Sequence, residues 1–107
     1  MTQSDADAVR WYRAANTAGD AVGMRYLGFM YERGRGVPQD PAVAAGRYLA
    51  AERAGDRWFR ENVSARPPET IRAVQSRLSD AGHYHGALDA SWGPESLAAL
   101  DAYVAQR

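Results

Sequence analysis

The two histidines of the chain stand two residues apart, His83 and His85, with carboxylates nearby in the sequence at Asp80 and Asp89. Imidazole nitrogens and carboxylate oxygens are zinc ligands, and a zinc site needs three or four of them aimed at one point. The pattern offers one candidate metal site. We favour the alternative, in which both histidines are exposed in a loop, and we expect no metal and no cofactor.

The sequence shows no nucleophile placed beside a general base. It lacks a Gly-x-Ser-x-Gly elbow, a His-Glu-x-x-His pair and a phosphate-binding loop. It also has no cysteine, which excludes thiolate catalysis, disulfides and cysteine zinc sites. We therefore expect a protein that is not an enzyme.

Charge and hydropathy restrict the partners. Thirteen basic residues, all of them arginine, balance thirteen acidic ones, so no net field draws the chain to nucleic acid or to an anionic membrane. No apolar run approaches the roughly 20 residues of a membrane span. Met1–Asp5 has neither the basic start nor the apolar core of a signal peptide. We expect no nucleic-acid partner and no membrane insertion within this stretch.

The chain contains an internal repeat with a period of 36 residues. Trp11–Asp20 and Arg47–Asp56 share a tyrosine, an Ala-Ala pair and an Ala-Gly-Asp ending at matching positions. A fixed period of about 20–50 residues is typical of solenoids, in which similar units of secondary structure stack on one another. The repeat therefore predicts a stacked architecture.

Helical hairpins are the predicted unit of this repeat. Between Asp20 and Arg33, apolar residues recur at spacings of three and four, which indicates one face of a helix. Asp40 is predicted to cap the next helix, with Pro41 at its first position and Ala54 near its end.

The run from Gly19 to Asp40 resembles the Sel1-like repeat family, and Ala44–Asp56 continues the same unit. The resemblance implies that residues 5–18 are the second helix of a preceding repeat. It also implies that residues 56–65 are the shortened first helix of a third. The Sel1-like part would span residues 1–65. The residues that carry the likeness are Gly19-Asp20-Ala21, Leu27-Gly28-Phe29-Met30-Tyr31-Glu32-Arg33-Gly34-Arg35-Gly36-Val37-Pro38-Gln39-Asp40, Tyr48, Ala50-Ala51 and Gly55-Asp56.

Two more helices are predicted after Arg66-Pro67-Pro68, because the two prolines end the preceding element. The first has its apolar positions at helical spacing and ends at Ala81-Gly82. The second runs from Pro94 to about Ala105. Their predicted buried residues are Ile71, Val74 and Leu78 in the first and Leu97, Leu100, Tyr103 and Val104 in the second.

These last forty residues resemble the peptidoglycan-binding-like family, a compact three-helix domain that would span residues 66–107. Ala90 stands where that family has glycine. If the position needs a positive φ, alanine there is strained by about 1 kcal/mol. The matching residues are Ile71, Val74-Gln75, Leu78, Gly82, Tyr84, Gly86, Leu88-Asp89, Trp92-Gly93-Pro94, Ser96, Ala99-Leu100 and Tyr103.

The whole chain is therefore predicted to be all-α. A short Sel1-like helical-hairpin solenoid would pack against the small three-helix peptidoglycan-binding-like domain. We expect the join at Arg66-Pro67-Pro68 to be a tight corner, so that the second module caps the first.

The second resemblance implies candidate ligand contacts at Tyr84, Asp89, Trp92 and Ser96. Two of them have a structural alternative that we favour. Asp89 is expected to accept hydrogen bonds from the backbone of its own turn, and Trp92 is expected to pack in the core rather than against a sugar ring.

A partner-binding surface is expected at Arg25, Tyr26 and Trp58. Arg25 and Tyr26 lie where the chain departs from the usual Sel1-like pattern. Trp58 and Phe59 stand just before the join, where contact between the two modules and plain core packing are equally expected.

Three functions fit this reading. The first is a non-catalytic scaffold that binds other proteins, as part of a longer periplasmic protein of the bacterial envelope or cell pole, with contact to peptidoglycan. The second is the peptidoglycan-targeting module of a cell-wall enzyme. The third is a complete cytoplasmic adaptor or immunity-type protein, for which Met1 would be the natural start.

Overall fold

The computed structural model describes residues 4–106, which contain six α-helices and no β-strand, with 69% helix. The predicted all-α class is confirmed. Residues 1–3 and 107, at the outer ends of the two predicted domains, lie outside the described residues. The helices are α1 (Asp5–Thr17), α2 (Ala21–Arg33), α3 (Pro41–Arg53), α4 (Trp58–Glu61), α5 (Pro68–Asp80) and α6 (Pro94–Ala105), with a 3₁₀ turn at Val63–Ala65.

Capping hydrogen bonds mark the starts of α2 and α3, where the sequence predicts them. The carboxylate of Asp20 accepts a hydrogen bond from the Val22 amide at the start of α2. That of Asp40 accepts from the amides of Ala42 and Val43 at the start of α3. Each cap satisfies backbone donors that a helix start leaves free, which fixes where both helices of the hairpin begin.

The two copies of the 36-residue repeat end their helices with the same hydrogen bonds. After α1, the Asp20 amide donates to the Ala15 carbonyl at 2.9 Å, and after α3 the Asp56 amide donates to the Ala51 carbonyl at 3.0 Å. The glycine between helix and aspartate has a positive φ in both copies, as this kind of helix end requires. The repeat in sequence is thus a repeat in backbone geometry at the helix ends.

Residues 56–65, which were expected to begin a third repeat, depart from this pattern. The helix expected over residues 56–65 is reduced to α4, a single turn, and the following 3₁₀ turn. The Asp56 carboxylate does not cap α4. It lies 3.3 Å from Arg25 instead. The Glu52 carboxylate of α3 accepts a hydrogen bond from the Arg60 amide of α4 at 3.2 Å.

Two close approaches hold the three long repeat helices together. A Cβ atom at Gly23 would overlap the Cβ of Ala15, so α1 and α2 are in direct backbone contact there. A Cβ at Gly28 would lie 3.1 Å from the Cβ of Arg47, so α2 and α3 approach almost as closely. Glycine is needed at these positions for the space it leaves.

The main core draws on both predicted domains. It joins residues of α3 and α4 to residues of α5, α6 and the loop before α6, and Phe59 is buried within it. A smaller core lies between α1 and α2 and contains Val9, Leu27 and Met30. The main core consists of Ala44, Ala45, Tyr48, Leu49, Phe59, Val74, Leu78, Tyr84, Ala99 and Leu100.

The buried face of α6 differs from the predicted one at Leu97. Leu100 is buried, and Tyr103 and Val104 pack, partly buried, against the core as expected. Leu97 is 39% exposed, while Ser96, which accepts a hydrogen bond from the buried Gln75, and Ala99 are buried. Residues 66–106 contain two α-helices, where the resemblance implied three.

The segment between α3 and α5 is held by two buried ion pairs. Arg66 Nη1 donates to Glu32 Oε2 of α2 at 2.7 Å. Arg60 Nε donates to Glu52 Oε1 of α3 at 2.9 Å, and Arg60 also reaches Asp101 of α6 at 2.7 Å. Two arginines thus join this segment to three helices, and Arg66 is buried at the corner.

Within residues 4–106, none of the helices combines the length and the apolar character needed to cross a membrane.

Candidate functional site

The loop between α5 and α6 carries three of the four predicted ligand contacts, the fourth, Ser96, lies in the first turn of α6, and Gln75 holds the loop from inside. This fully buried side chain donates to the carbonyl of Ser91 at 3.0 Å and to the hydroxyl of Ser96 at 3.3 Å. Its oxygen accepts from the Ala90 amide at 3.1 Å. All its hydrogen bonds are made inside the protein, so Gln75 fixes the shape of the loop.

Tyr84 and Ser96 face the interior rather than a ligand. Tyr84 is 5% exposed, and its hydroxyl donates to the Ala87 carbonyl at 2.7 Å. Ser96 is 2% exposed and is bonded to Gln75. In this structure the polar groups of both side chains have partners inside the fold.

Asp89 and Trp92 take the structural roles that the sequence favoured. The Asp89 carboxylate accepts from the Ser91 amide at 3.0 Å, which is an Asx turn. The partly buried ring of Trp92 packs edge-on against Phe59, with ring centres 5.5 Å apart. The Asp89 side chain is exposed on the loop surface. Ala90, which stands between Asp89 and Trp92, has a φ of 63°, so it has the positive φ that strains an alanine.

His83 and His85 have different surroundings. His83 is hydrogen-bonded through Nε2 to Gln106 Oε1 at 2.8 Å, and its ring lies edge-on to Tyr103. His85 is exposed. Over residues 4–106, no three or more histidine, aspartate or glutamate side chains are grouped so as to hold a metal ion.

The three residues predicted for a partner surface do come together. Arg25, Tyr26 and Trp58 line one groove with Phe29, and the groove encloses about 250 Å³. We name these four residues the aromatic–arginine groove. Three of them lie on α2, and the fourth, Trp58, is the first residue of α4.

The groove is built by stacking arginine on aromatic rings. The Arg25 guanidinium lies 4.9 Å from the centre of the Tyr26 ring and 5.4 Å from that of Trp58. Behind Trp58 lies the guanidinium of Arg66, at 4.5 Å. Each such contact is favourable because the face of an aromatic ring is electronegative. Arg25 and Trp58 therefore stabilise each other's position.

The buried ion pair between Glu32 and Arg66 adjoins the groove, because Arg66 lies against the Trp58 ring. Burial raises the pKa of Glu32, while the positive charge of Arg66 and the Thr70 side chain lower it, so the net shift is upward. Burial also raises the pKa of Tyr48, whose hydroxyl accepts a hydrogen bond from Arg66 at 3.4 Å. Arg66 is thus bound on one side by a carboxylate and a hydroxyl and on the other by the Trp58 ring.

The outer face of the groove remains open. Tyr26 is 42% exposed, although its ring stacks on Tyr12 at 5.1 Å. Arg33, whose guanidinium lies 5.1 Å from the Phe29 ring, has 52% of its side chain exposed. The groove therefore offers flat apolar surface beside exposed guanidinium donors, and no nucleophile or general base is among its four residues.

Phe29 and Arg66 are the parts of this site that the sequence did not single out. Phe29 follows Arg25 by four residues, so its place on the same face of α2 was readable from helical spacing. Arg66 had no such signal, because its contacts with Glu32 and Trp58 arise only when the corner before α5 folds back.

Comparisons of the chain with protein-family models, with curated proteins and with solved structures found no significant match.

Proposed function

We propose that this chain is a non-catalytic helical module that binds partner proteins through the aromatic–arginine groove. The observation that carries the proposal is the convergence of Arg25, Tyr26, Phe29 and Trp58 on one open groove. Tyrosine, tryptophan and arginine are the residues most enriched where binding energy concentrates in protein interfaces.

The chemistry of the groove favours an extended peptide with an aromatic side chain next to an acidic one. An aromatic ring would pack on the open side of the groove, beside the Arg25 guanidinium, which lies over both the Tyr26 and the Trp58 ring. A carboxylate would meet the half-exposed guanidinium of Arg33, whose Nε lies 3.9 Å from the buried Glu32, since the less exposed Arg25 is already matched by Asp56 at 3.3 Å. Arginine and carboxylate pair with two parallel hydrogen bonds, which adds specificity.

The likeness to Sel1-like repeats supports the same proposal. Stacked helical hairpins offer extended surfaces to partner proteins, and the matching helix ends after α1 and α3 agree with a repeat architecture. In this proposal, the chain is the Sel1-like and peptidoglycan-binding-like part of a bacterial envelope protein, placed in the periplasm.

Selection from a phage-displayed peptide library tests the groove directly. We expect enriched peptides to pair an aromatic with an acidic residue, and to shift the amide NMR signals of residues around Tyr26 and Trp58. Tyr26→Ala removes a ring that is 42% exposed and should weaken binding at least about tenfold, and circular dichroism checks that the loss of its stacking on Tyr12 leaves the protein folded. Leu88→Ala is the matched control, because Leu88 is 48% exposed on the distant loop. Peptides that bind Tyr26→Ala as well as the native protein would contradict the proposal.

Binding to the cell wall is the competing function, and it has less support. Two of its four expected contacts, Tyr84 and Ser96, are buried and hydrogen-bonded within the fold. Sedimentation with insoluble peptidoglycan tests this alternative. Retention that Asp89→Ala abolishes and Tyr26→Ala leaves unchanged would favour wall binding over the groove.

A further inference from the structure

Three arginines line a cavity of about 360 Å³ where the ends of α3 and α6 meet the start of α4. They are Arg53, Arg57 and Arg60. Arg53 is the last residue of α3, Arg57 directly precedes α4, and Arg60 lies within α4. Guanidinium groups repel one another but bind anions strongly, so three of them around one cavity form an arrangement suited to a negatively charged ligand.

Two of these arginines are held in position by the protein. Arg60 Nε binds Glu52 at 2.9 Å and its Nη1 binds Asp101 at 2.7 Å, and only 14% of its side chain is exposed. Arg53 Nε donates to the Tyr103 carbonyl at 3.2 Å, and its guanidinium lies 4.0 Å from the centre of the Tyr103 ring. These contacts leave both terminal nitrogens of Arg53 and one of Arg60 to donate to a ligand.

The charges around the cavity do not balance. Within residues 4–106, Glu52 and Asp101 both pair with Arg60, and neither Arg53 nor Arg57 forms an ion pair. Three guanidinium groups and two carboxylates leave an excess of one positive charge. A ligand with a single negative charge restores neutrality, whereas a dianion such as phosphate would also be repelled by the two carboxylates.

The helix ends explain only one of the three arginines. A basic residue at a helix C terminus is favourable by itself, because the last carbonyls are electronegative, and this accounts for Arg53 at the end of α3. Arg57 has no such role. It lies beyond the helix end, and the last α3 carbonyls are already bonded to the amides of residues 54–56.

We propose that this cavity binds a carboxylate carried by a small apolar group, as in the C-terminal residue of a peptide or a short-chain acid. The carboxylate would bind the terminal nitrogens of Arg53 in the parallel geometry that this pair favours, with Arg57 and Arg60 as further donors. The apolar group would lie against Val104 and over Gly55. In the described part of the chain, no other atom lies within 4 Å of the position that a Cβ at Gly55 would take.

This site is independent of the aromatic–arginine groove, with which it shares no residue. The loss of one would therefore leave the other in place.

Titration of the protein with sodium butyrate at constant ionic strength, followed by its amide NMR signals, tests the site. We expect saturable shifts at Gly55, Arg57 and Arg60 with a dissociation constant of about 1 mM, which is ordinary for a ligand of this size. Butyramide, which has the same shape without the charge, should cause none. The absence of a saturable shift with butyrate, or tighter binding of inorganic phosphate, overturns the proposal.

Arg57→Gln tests the unpaired arginine. It should raise the dissociation constant for butyrate at least about fivefold. Thermal unfolding should stay unchanged, because the exposed Arg57 forms no ion pair within residues 4–106. Arg72→Gln is the matched control, since Arg72 is an exposed arginine of α5 that does not line the cavity. Equal weakening by both variants would mean that butyrate senses only the overall charge of the protein, and it would overturn the proposal.

Comparison of butyrate with N-acetyl-alanine separates the two sources of the carboxylate. N-acetyl-alanine has the amide and the carboxylate of a peptide C terminus. Binding at least about fivefold tighter than that of butyrate would assign the cavity to a peptide C terminus, because the amide then adds a hydrogen bond. Binding that is no tighter would assign it to short-chain acids.

Discussion

Helices α1 and α3 end with the same hydrogen bonds, yet they are buried very differently. Within α1 only Val9 is fully buried, whereas α3 buries six residues. Both helices pack on α2, but α3 is also covered by α5 and α6. Local sequence thus determines where each helix lies in the chain and where it ends. How much of the helix is buried is determined by the elements that follow along the chain.

The largest expected difference between the α1 region and the α3 region is in how much their ion pairs contribute to the free energy of unfolding. Arg66→Met should lower the free energy of unfolding by about 3 kcal/mol, because it leaves the buried Glu32 carboxylate with only the half-exposed Arg33, at 3.9 Å, as a charge partner. Arg35→Met, on the α1 side, should cause no measurable change, because Arg35 and Asp5 form an exposed pair. Urea denaturation followed by circular dichroism measures both.

A double variant separates the loss of the charge partner from the loss of packing. Glu32→Met combined with Arg66→Met removes both charges together, and it should recover much of the lost stability. If Arg66→Met costs no more than Arg35→Met, the buried pair does not hold the corner.

The same substitution in the two cores should differ by a smaller amount. Leu49→Ala is expected to cost about 4 kcal/mol and Leu27→Ala about 2–3 kcal/mol, because the small core beside α1 can collapse more easily around the cavity. Chemical denaturation gives both values. Equal losses would mean that the small core is as rigid as the main one.

Gly23→Ala should act on the α1 contact alone and cost about 2 kcal/mol. The new methyl group would overlap Ala15 Cβ, and overpacking of this kind costs about 1–3 kcal/mol. We expect hydrogen exchange to quicken in α1 while the amides of α5 keep their protection. Uniform loss of protection would show that the two regions unfold as one unit.

Ala90→Gly should stabilise the protein by about 1 kcal/mol, because it removes the strain of a non-glycine residue at a φ of 63°. Ala98→Gly on the exposed face of α6 is the control and should lose about 1 kcal/mol. Thermal unfolding that moves in the same direction for both variants would contradict this account.

The smallest expected effect is a dependence on pH from Glu52. Burial raises the pKa of Glu52, and hydrogen bonds and charge from Arg60 only partly offset this. The folded protein then holds a proton on Glu52 more readily than the unfolded chain does, so the contribution of this group to stability falls as pH rises above about 4.3, the pKa of a free glutamate.

Comparison with Glu52→Gln isolates this contribution. The free energy of unfolding of the native protein minus that of Glu52→Gln should decrease between about pH 4 and pH 7. A difference that is flat or increases with pH would show that Arg60 compensates fully for the burial of the carboxylate.

Helix positions were predictable from the sequence because their signals are local. Asp20, Asp40, Pro41 and Pro94 each start or cap a helix where capping chemistry predicts it. The face of α6 was predicted less well. Periodicity alone favoured Leu97 as a buried residue, whereas the residue buried in the first turn is Ser96, which is hydrogen-bonded to Gln75 across 21 residues.

The residues of the partner surface were predictable from the sequence, but the contacts that support them were not. Arg25, Tyr26 and Trp58 converge as expected. The arginine that supports them from behind, Arg66, comes from beyond α4 and depends on long-range contacts. Such contacts have no periodic signal, because they join segments whose spacing is set by the fold.

The buried amide of Gln75 has a further consequence for the loop between α5 and α6. Its hydrogen bonds go to backbone atoms of Ala90 and Ser91 and to Ser96, so, apart from the Asx turn at Asp89, the path of the loop is set from inside. Exposed positions such as His85 and Leu88 are therefore open to substitution without a change of shape. The loop is in this sense a rigid frame on which new surface chemistry can be displayed, by natural variation or by design.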